Sequence, residues 1–154
     1  MSLKEGDPAP DFAMPASGGR QVSRDALKGR PFVLYFYPKA DTPGCTKEAC
    51  AFQDGLGKLG KLPLEVIGVS RDPLRAIEKF ATKYGLAFPL ASDETGATSM
   101  AYGTWVEKSM YGKKYMGMER ATFLIDAAGR IARLWRKVQV PGHAEAVLAA
   151  AKAL

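Results

Sequence analysis

Cys45 and Cys50 are the two cysteines of the chain, and His143 is its one histidine. Thiols can staple a fold, hold a metal or act as nucleophiles. A structural zinc site takes about four Cys or His ligands, and this inventory falls short of that. A structural disulfide suits an oxidising compartment. The stretch from Met1 to Pro8 has no apolar core of the kind a signal peptide carries, so a cytosolic location is expected. Redox or nucleophilic chemistry is left, or cysteines that merely fill space. A cysteine–histidine hydrolase would need His143 beside Cys45. His143 instead follows Pro141-Gly142 at the start of the last predicted helix, where a terminus or surface role is expected.

The surroundings of Cys45 favour the reactive reading. Phe32 to Tyr37 is a continuous apolar, β-prone run that Pro38 ends, the pattern of a strand buried on both faces of a parallel sheet. Thr46 to about Lys58 is helical in composition, with Ala49, Phe52 and Leu56 at helical spacing. The stretch from Pro38 to Cys50 thus joins the carboxyl end of a strand to the start of a helix, where α/β sheets bind ligands. Unpaired backbone N–H groups and the positive end of the helix dipole converge there and favour a thiolate, the species that attacks electrophiles. The alternative is a cysteine packed at a helix start.

Cys50 lies five residues after Cys45. In a continuous helix that is a rise of roughly 7.5 Å and a rotation of about 140°. A disulfide needs Cα atoms within about 7 Å and side chains aimed at each other, so pairing would require the first turns of the helix to unwind. Cys50 is then either a resolving thiol released by local unfolding or a core cysteine on the helix's inner face.

Further elements build the frame around this segment. Phe12 to Met14 and Gln21-Val22, separated by Ser17-Gly18-Gly19, predict an N-terminal hairpin. Leu64 to Ser70 is a second buried strand. Asp72-Pro73 predicts an N-cap and a first helical residue for a helix carrying Ile77, Phe80 and Tyr84, stopped by Gly85. Asp93 to Tyr102 reads as a short helix and Gly103 to Glu119 as a loop rich in Gly, Tyr and Met. Ala121 to Ile125 and Ile131 to Val138 are strands about a turn at Asp126 to Gly129, and Gly142 to Leu154 is the last helix. Two strands joined through a helix must run parallel. The order predicts one α/β domain over residues 1–154, a central mixed sheet with helices on both faces and an N-terminal hairpin extension.

The 154 residues suffice for one domain, and the composition is that of a soluble globular chain. The formal charge of +6 invites a nucleic-acid or membrane partner, but the basic residues are scattered. Lys113-Lys114 and Arg133, Arg136 and Lys137 are the densest spots, so neither a nucleic-acid nor a membrane partner is expected. No apolar run approaches the roughly 18 residues that span a bilayer.

The stretch from Pro38 through Thr42 and Cys45 to Cys50 matches the pattern Pro-x-x-x-Thr-x-x-Cys and resembles the peroxiredoxins. Its wording, with Phe80 to Leu86, Phe88 to Asp93, Tyr111 to Gly117 and Arg120 to Asp126, resembles the peroxiredoxin Q branch, the bacterioferritin comigratory proteins. Ile77 departs from that pattern, where many relatives carry a histidine. The resemblance implies a thioredoxin-like fold and reduction of hydrogen peroxide and organic hydroperoxides, with thioredoxin or a related dithiol protein as reductant and a monomeric state. It implies that Cys45 is the peroxidatic cysteine and Cys50 the resolving one. Thr42 would hydrogen-bond the reacting centre, Pro38 would shield it, and the Arg120 guanidinium would hold thiolate and peroxide.

That assignment suits the side chains. O–O cleavage needs a strong nucleophile and stabilisation of the departing oxygen, which an always-protonated arginine supplies through a rigid fork. Thr42 can donate its hydroxyl to peroxide and accept from a backbone N–H, or merely cap a turn. Attack leaves a sulfenic acid on Cys45, Cys50 expels water from it, and an outside dithiol reopens the disulfide. No step requires metal, flavin or haem. Glu48 reads as a helix-start cap or as a group that tunes the thiolate's surroundings. Met110, Met116 and Met118 read as loop packing or as an apolar wall for organic peroxides, and Trp105 and Trp135 as packing residues. The competing readings are a thioredoxin-fold oxidoreductase acting on protein disulfides, which usually carries the Cys-x-x-Cys that this chain lacks, and a basic binding module with incidental cysteines.

Overall fold

The computed structural model describes residues 2–59 and 64–154. β1 (Ala13–Ala16) and β2 (Arg20–Ser23) form the expected N-terminal hairpin around a single 3-10 turn at Ser17–Gly19. β3 (Phe32–Phe36) runs into α1 (Pro43–Leu59), then β4 (Glu65–Ser70), α2 (Leu74–Lys83), β5 (Leu90–Ser92) and the short α3 (Ala97–Ala101). β6 (Trp105–Met110) and β7 (Lys113–Met118) follow, then β8 (Ala121–Ile125), β9 (Ile131–Trp135) and α4 (His143–Lys152). Seven strands make one mixed sheet in the order β2-β1-β5-β4-β3-β8-β9. β3 pairs parallel with β4 and antiparallel with β8, so it lies inside the sheet, as its unbroken apolar run requires.

Alternate residues of β3 feed two cores. Val33, Tyr35 and Tyr37 face Ala49 and Phe52 of α1, Ile77 and Phe80 of α2, and Val147 and Leu148 of α4. Phe32, Leu34 and Phe36 face Phe12, Met14, Leu27, Tyr102 and Met118. Gly55 brings α1 against α4: a Cβ there would collide with Leu148. No described helix is long and apolar enough to cross a membrane.

Four expectations change. The stretch from 103 to 119, expected as a loop, is the antiparallel hairpin β6–β7, turned at Tyr111-Gly112 with φ of 52° and 77°. Positive φ at both central residues is the tight-hairpin geometry, which Asn-Gly usually signals; most of the hairpin is exposed and carries no apolar alternation to announce it. β5 also escapes notice, being three residues long directly after Pro89. β9 stops at Trp135, just before the left-handed Lys137 (φ 48°). Pro73, and not Asp72, is the N-cap of α2. The Asp72 carboxylate instead accepts from the Ala40 N–H at 2.8 Å and the Ser70 hydroxyl at 2.7 Å.

Candidate active site

The site is built where β3 ends. The Tyr37 N–H still donates to the Val69 carbonyl at 3.0 Å, after which the chain leaves the sheet. Pro38 and Lys39 are exposed. Asp41 takes the left-handed conformation (φ 60°), and its carboxylate accepts from Lys83 Nζ at 2.9 and 3.2 Å and from the Tyr84 hydroxyl at 2.9 Å. The Thr42 hydroxyl donates to the Lys39 carbonyl at 2.8 Å, and the Thr42 carbonyl accepts the Thr46 N–H at 2.8 Å as the first helical bond. α1 therefore begins at Pro43, earlier than composition suggests, because proline's fixed φ and missing N–H suit the first helical position. Cys45 sits inside the first turn, 1 % exposed, beside N–H groups that have no acceptor within the helix.

Arg120, immediately before β8, reaches this turn from the other side. Its Nη2 donates to Cys45 Sγ at 3.4 Å, and its Nη1 donates to Glu48 Oε1 at 2.7 Å. Gly44 makes room for the guanidinium, since a Cβ there would stand 3.2 Å from Nη2. Glu48 is 1 % exposed, so the helix-cap expectation fails: its carboxylate is the buried partner of Arg120. Burial pushes the Glu48 carboxyl up to about 7, against the pull of Arg120. The second carboxylate oxygen and the hydroxyls of Tyr35 and Tyr37 are buried without a hydrogen-bond partner among the described residues. Tyr35 stacks on Phe52 at 4.7 Å and lies 5.7 Å from Tyr37, so an aromatic floor with phenol groups lies in the same core as Cys45. Burial raises both phenols well above their ordinary range.

Cys50 lies further along the same unbroken helix, half-buried, with its thiol raised by burial first and by Asp54 second. Both thiols are free. His143 corrects another expectation. It opens α4, but it is buried rather than at the surface, with Nε2 2.7 Å from the Thr122 hydroxyl and its ring edge-on to Phe52 and Trp135. Burial, with Arg120 second, lowers it to about 4. The methionines divide: Met118 is core, accepting from the Thr104 hydroxyl, while Met110 and Met116 are exposed. Trp105 and Trp135 are half-buried, as expected. The geometry thus joins Cys45 to Arg120 and Glu48, and puts Thr42 at the cap of the same helix. The Glu48–Arg120 pair is the feature sequence reading missed; its one visible signal is an acid three residues after Cys45 on a helix whose inner face is apolar.

Residues 5–134 match the AhpC/TSA family. The chain is 48 % identical over 148 residues to a putative peroxiredoxin bcp of Coxiella burnetii, covering 96 % of this chain and 98 % of that one. It is 42 % identical to peroxiredoxin Bcp of Escherichia coli K12, over 95 % and 94 % of the two chains. The chain belongs to the AhpC/TSA family, in its peroxiredoxin Q (Bcp) branch. Among solved structures, a Xylella fastidiosa PrxQ mutant superposes with a TM-score of 0.92 at 37 % identity, covering 99 % and 98 % of the two chains. The Xanthomonas campestris bacterioferritin comigratory protein, studied for its alkyl peroxide reduction activity, gives 0.87 at 45 % identity over 92 % and 90 %. The fold of this peroxiredoxin is thioredoxin-like, and the protein is a thiol-dependent peroxidase, using a hydroperoxide and a thiol reductant.

Proposed function

We propose that Cys45 is the peroxidatic nucleophile and Cys50 the resolving thiol of a peroxidase acting on hydrogen peroxide and organic hydroperoxides. The observation that carries the reading is the Arg120 guanidinium donating to Cys45 Sγ in the first turn of α1. Those are the surroundings that favour a thiolate. The thiolate attacks one peroxide oxygen, forming Cys45–SOH, and the other oxygen leaves as hydroxide or alkoxide. Arg120 offers it the nearest fixed cation, and Glu48 holds that fork in place. The Thr42 hydroxyl donates its hydrogen bond to the Lys39 backbone carbonyl, so its oxygen is left to accept the substrate O–H rather than to donate, as its residue type alone suggests. Pro38, exposed at the end of β3, takes the shielding role that family likeness implies.

Cys50–SH then attacks the sulfenic sulfur and expels water, giving the Cys45–Cys50 disulfide, and a dithiol reductant of the thioredoxin kind returns both thiols. Two thiols that cycle in this way suit a reducing cytoplasm, and a single chain holding both suits a monomer. Stopped-flow peroxide consumption tests the roles. Cys45→Ser is expected to abolish turnover. Cys50→Ser is expected to complete one rapid turnover and then stop under thioredoxin recycling. Retained turnover in the first variant, or full recycling in the second, contradicts the assignment.

A further inference from the structure

Resting on that reading of the two thiols, we propose that Lys83 and Tyr84 are positioning residues. They hold the Cys45 arm of α1 in its peroxide-competent place through Asp41 and let go when the disulfide forms. Cys45–SOH and Cys50–SH can combine to the disulfide and water only if helix between them unwinds, because five helical positions keep their side chains apart. One of the two arms must move.

The Cys50 arm is fixed. Phe52 is fully buried against Tyr35, and the Gln53 side chain donates to the Gly85 carbonyl at 2.8 Å and accepts from the Ala87 N–H at 3.0 Å. Gly55 lies against Leu148 of α4. The Cys45 arm is short and tethered at three points. Arg120 holds the sulfur, Asp72 holds the Ala40 N–H, and Lys83 with Tyr84 holds the Asp41 carboxylate. Oxidation to sulfenic acid removes the thiolate charge and so weakens the first tether by the chemistry itself.

Asp41 is the joint. It sits at a left-handed φ of 60°, which aspartate tolerates better than most residues. Three hydrogen bonds from the end of α2 hold its carboxylate there. The end of α2 is in turn anchored by Tyr84 edge-on to Phe80 at 5.5 Å, and Phe80 lies 6.2 Å from Tyr37. The latch thus belongs to the reduced, folded arrangement, and disulfide formation must break it. Weakening it is expected to favour the disulfide without touching the reacting atoms.

The experiment uses the full chain with Lys83→Met, Tyr84→Phe and both together. A merely structural role would lower the melting temperature and leave the Cys45–Cys50 reduction potential where it is. The latch predicts instead that the double variant favours the disulfide by about threefold, a potential roughly 14 mV more negative. The peroxide concentration at which half of Cys45 ends as sulfinic acid, read by intact mass, is expected to rise by up to about threefold. An unchanged potential together with an unchanged sulfinic partition overturns the latch. A wild-type protein that forms no Cys45–Cys50 disulfide overturns the reading of the thiols, and the latch with it.

Discussion

Glu48→Gln is the substitution whose consequence can be worked furthest. The wild-type carboxyl is buried and moves from an ordinary 4.5 to about 7 in the fold, with burial outweighing Arg120. The folded state therefore holds this proton more tightly than the unfolded chain. Its contribution to stability is fully present below pH 4.5 and is lost as the pH rises through about 7. The shift of about 2.5 pH units (from 4.5 to about 7) corresponds to roughly 3 kcal/mol at most. Glutamine leaves an oxygen for Arg120 Nη1 but cannot ionise. Urea unfolding of the reduced proteins from pH 4 to pH 8.5 gives the difference curve, wild type minus Glu48→Gln, which is expected to fall by up to roughly 3 kcal/mol across that window. His143 acts in the opposite sense. Its folded value of about 4 against an ordinary 6.5 means stability lost as the pH falls. Both proteins retain His143, so the subtraction removes it. A flat difference curve would refute the claim that Glu48 is a buried partner of Arg120 whose ionised form the fold disfavours.

Other outcomes follow from single contacts. Arg120→Met removes the hydrogen bond to Cys45 Sγ, and a bond to a charged group is worth about 1.5–3 kcal/mol. Peroxide attack is therefore expected to slow roughly 10- to 150-fold in stopped flow, and an unchanged rate would remove Arg120 from the site. Gly55→Val drives a side chain into Leu148 between α1 and α4, so denaturant unfolding should show a loss of about 1–3 kcal/mol, partly restored by Leu148→Ala. Wild-type stability below pH 6.5 should fall as His143 must charge inside the fold, and His143→Gln should remove that part of the acid slope. An acid slope that survives in this variant would assign it elsewhere.

What the sequence reveals and what it hides follow from where each residue's partners lie. β3 is legible because burial on both faces demands six consecutive apolar residues from Phe32 to Tyr37. The Cys45 turn is legible as the junction between that strand and the following helix, although the helix begins at Pro43 and not at the expected Thr46. The Glu48–Arg120 pair spans 72 residues and the His143–Thr122 bond spans 21, so no local pattern announces either. Asp72 misleads for the same reason. The Asp-Pro signal favours a cap, but the Ala40 N–H, 32 residues away, claims the carboxylate. The β6–β7 hairpin stays hidden because its strands are largely exposed and its turn is Tyr-Gly.

In the proposed cycle Cys45 and Cys50 are one peroxide-driven couple. Its most direct test mixes the reduced protein with one equivalent of hydrogen peroxide and follows free thiols and intact mass. Fast loss of two thiols and a mass lower by about two hydrogens, one intramolecular disulfide, is the expected result. A reaction no faster than that of an ordinary cysteine, with both thiols still countable, would contradict it.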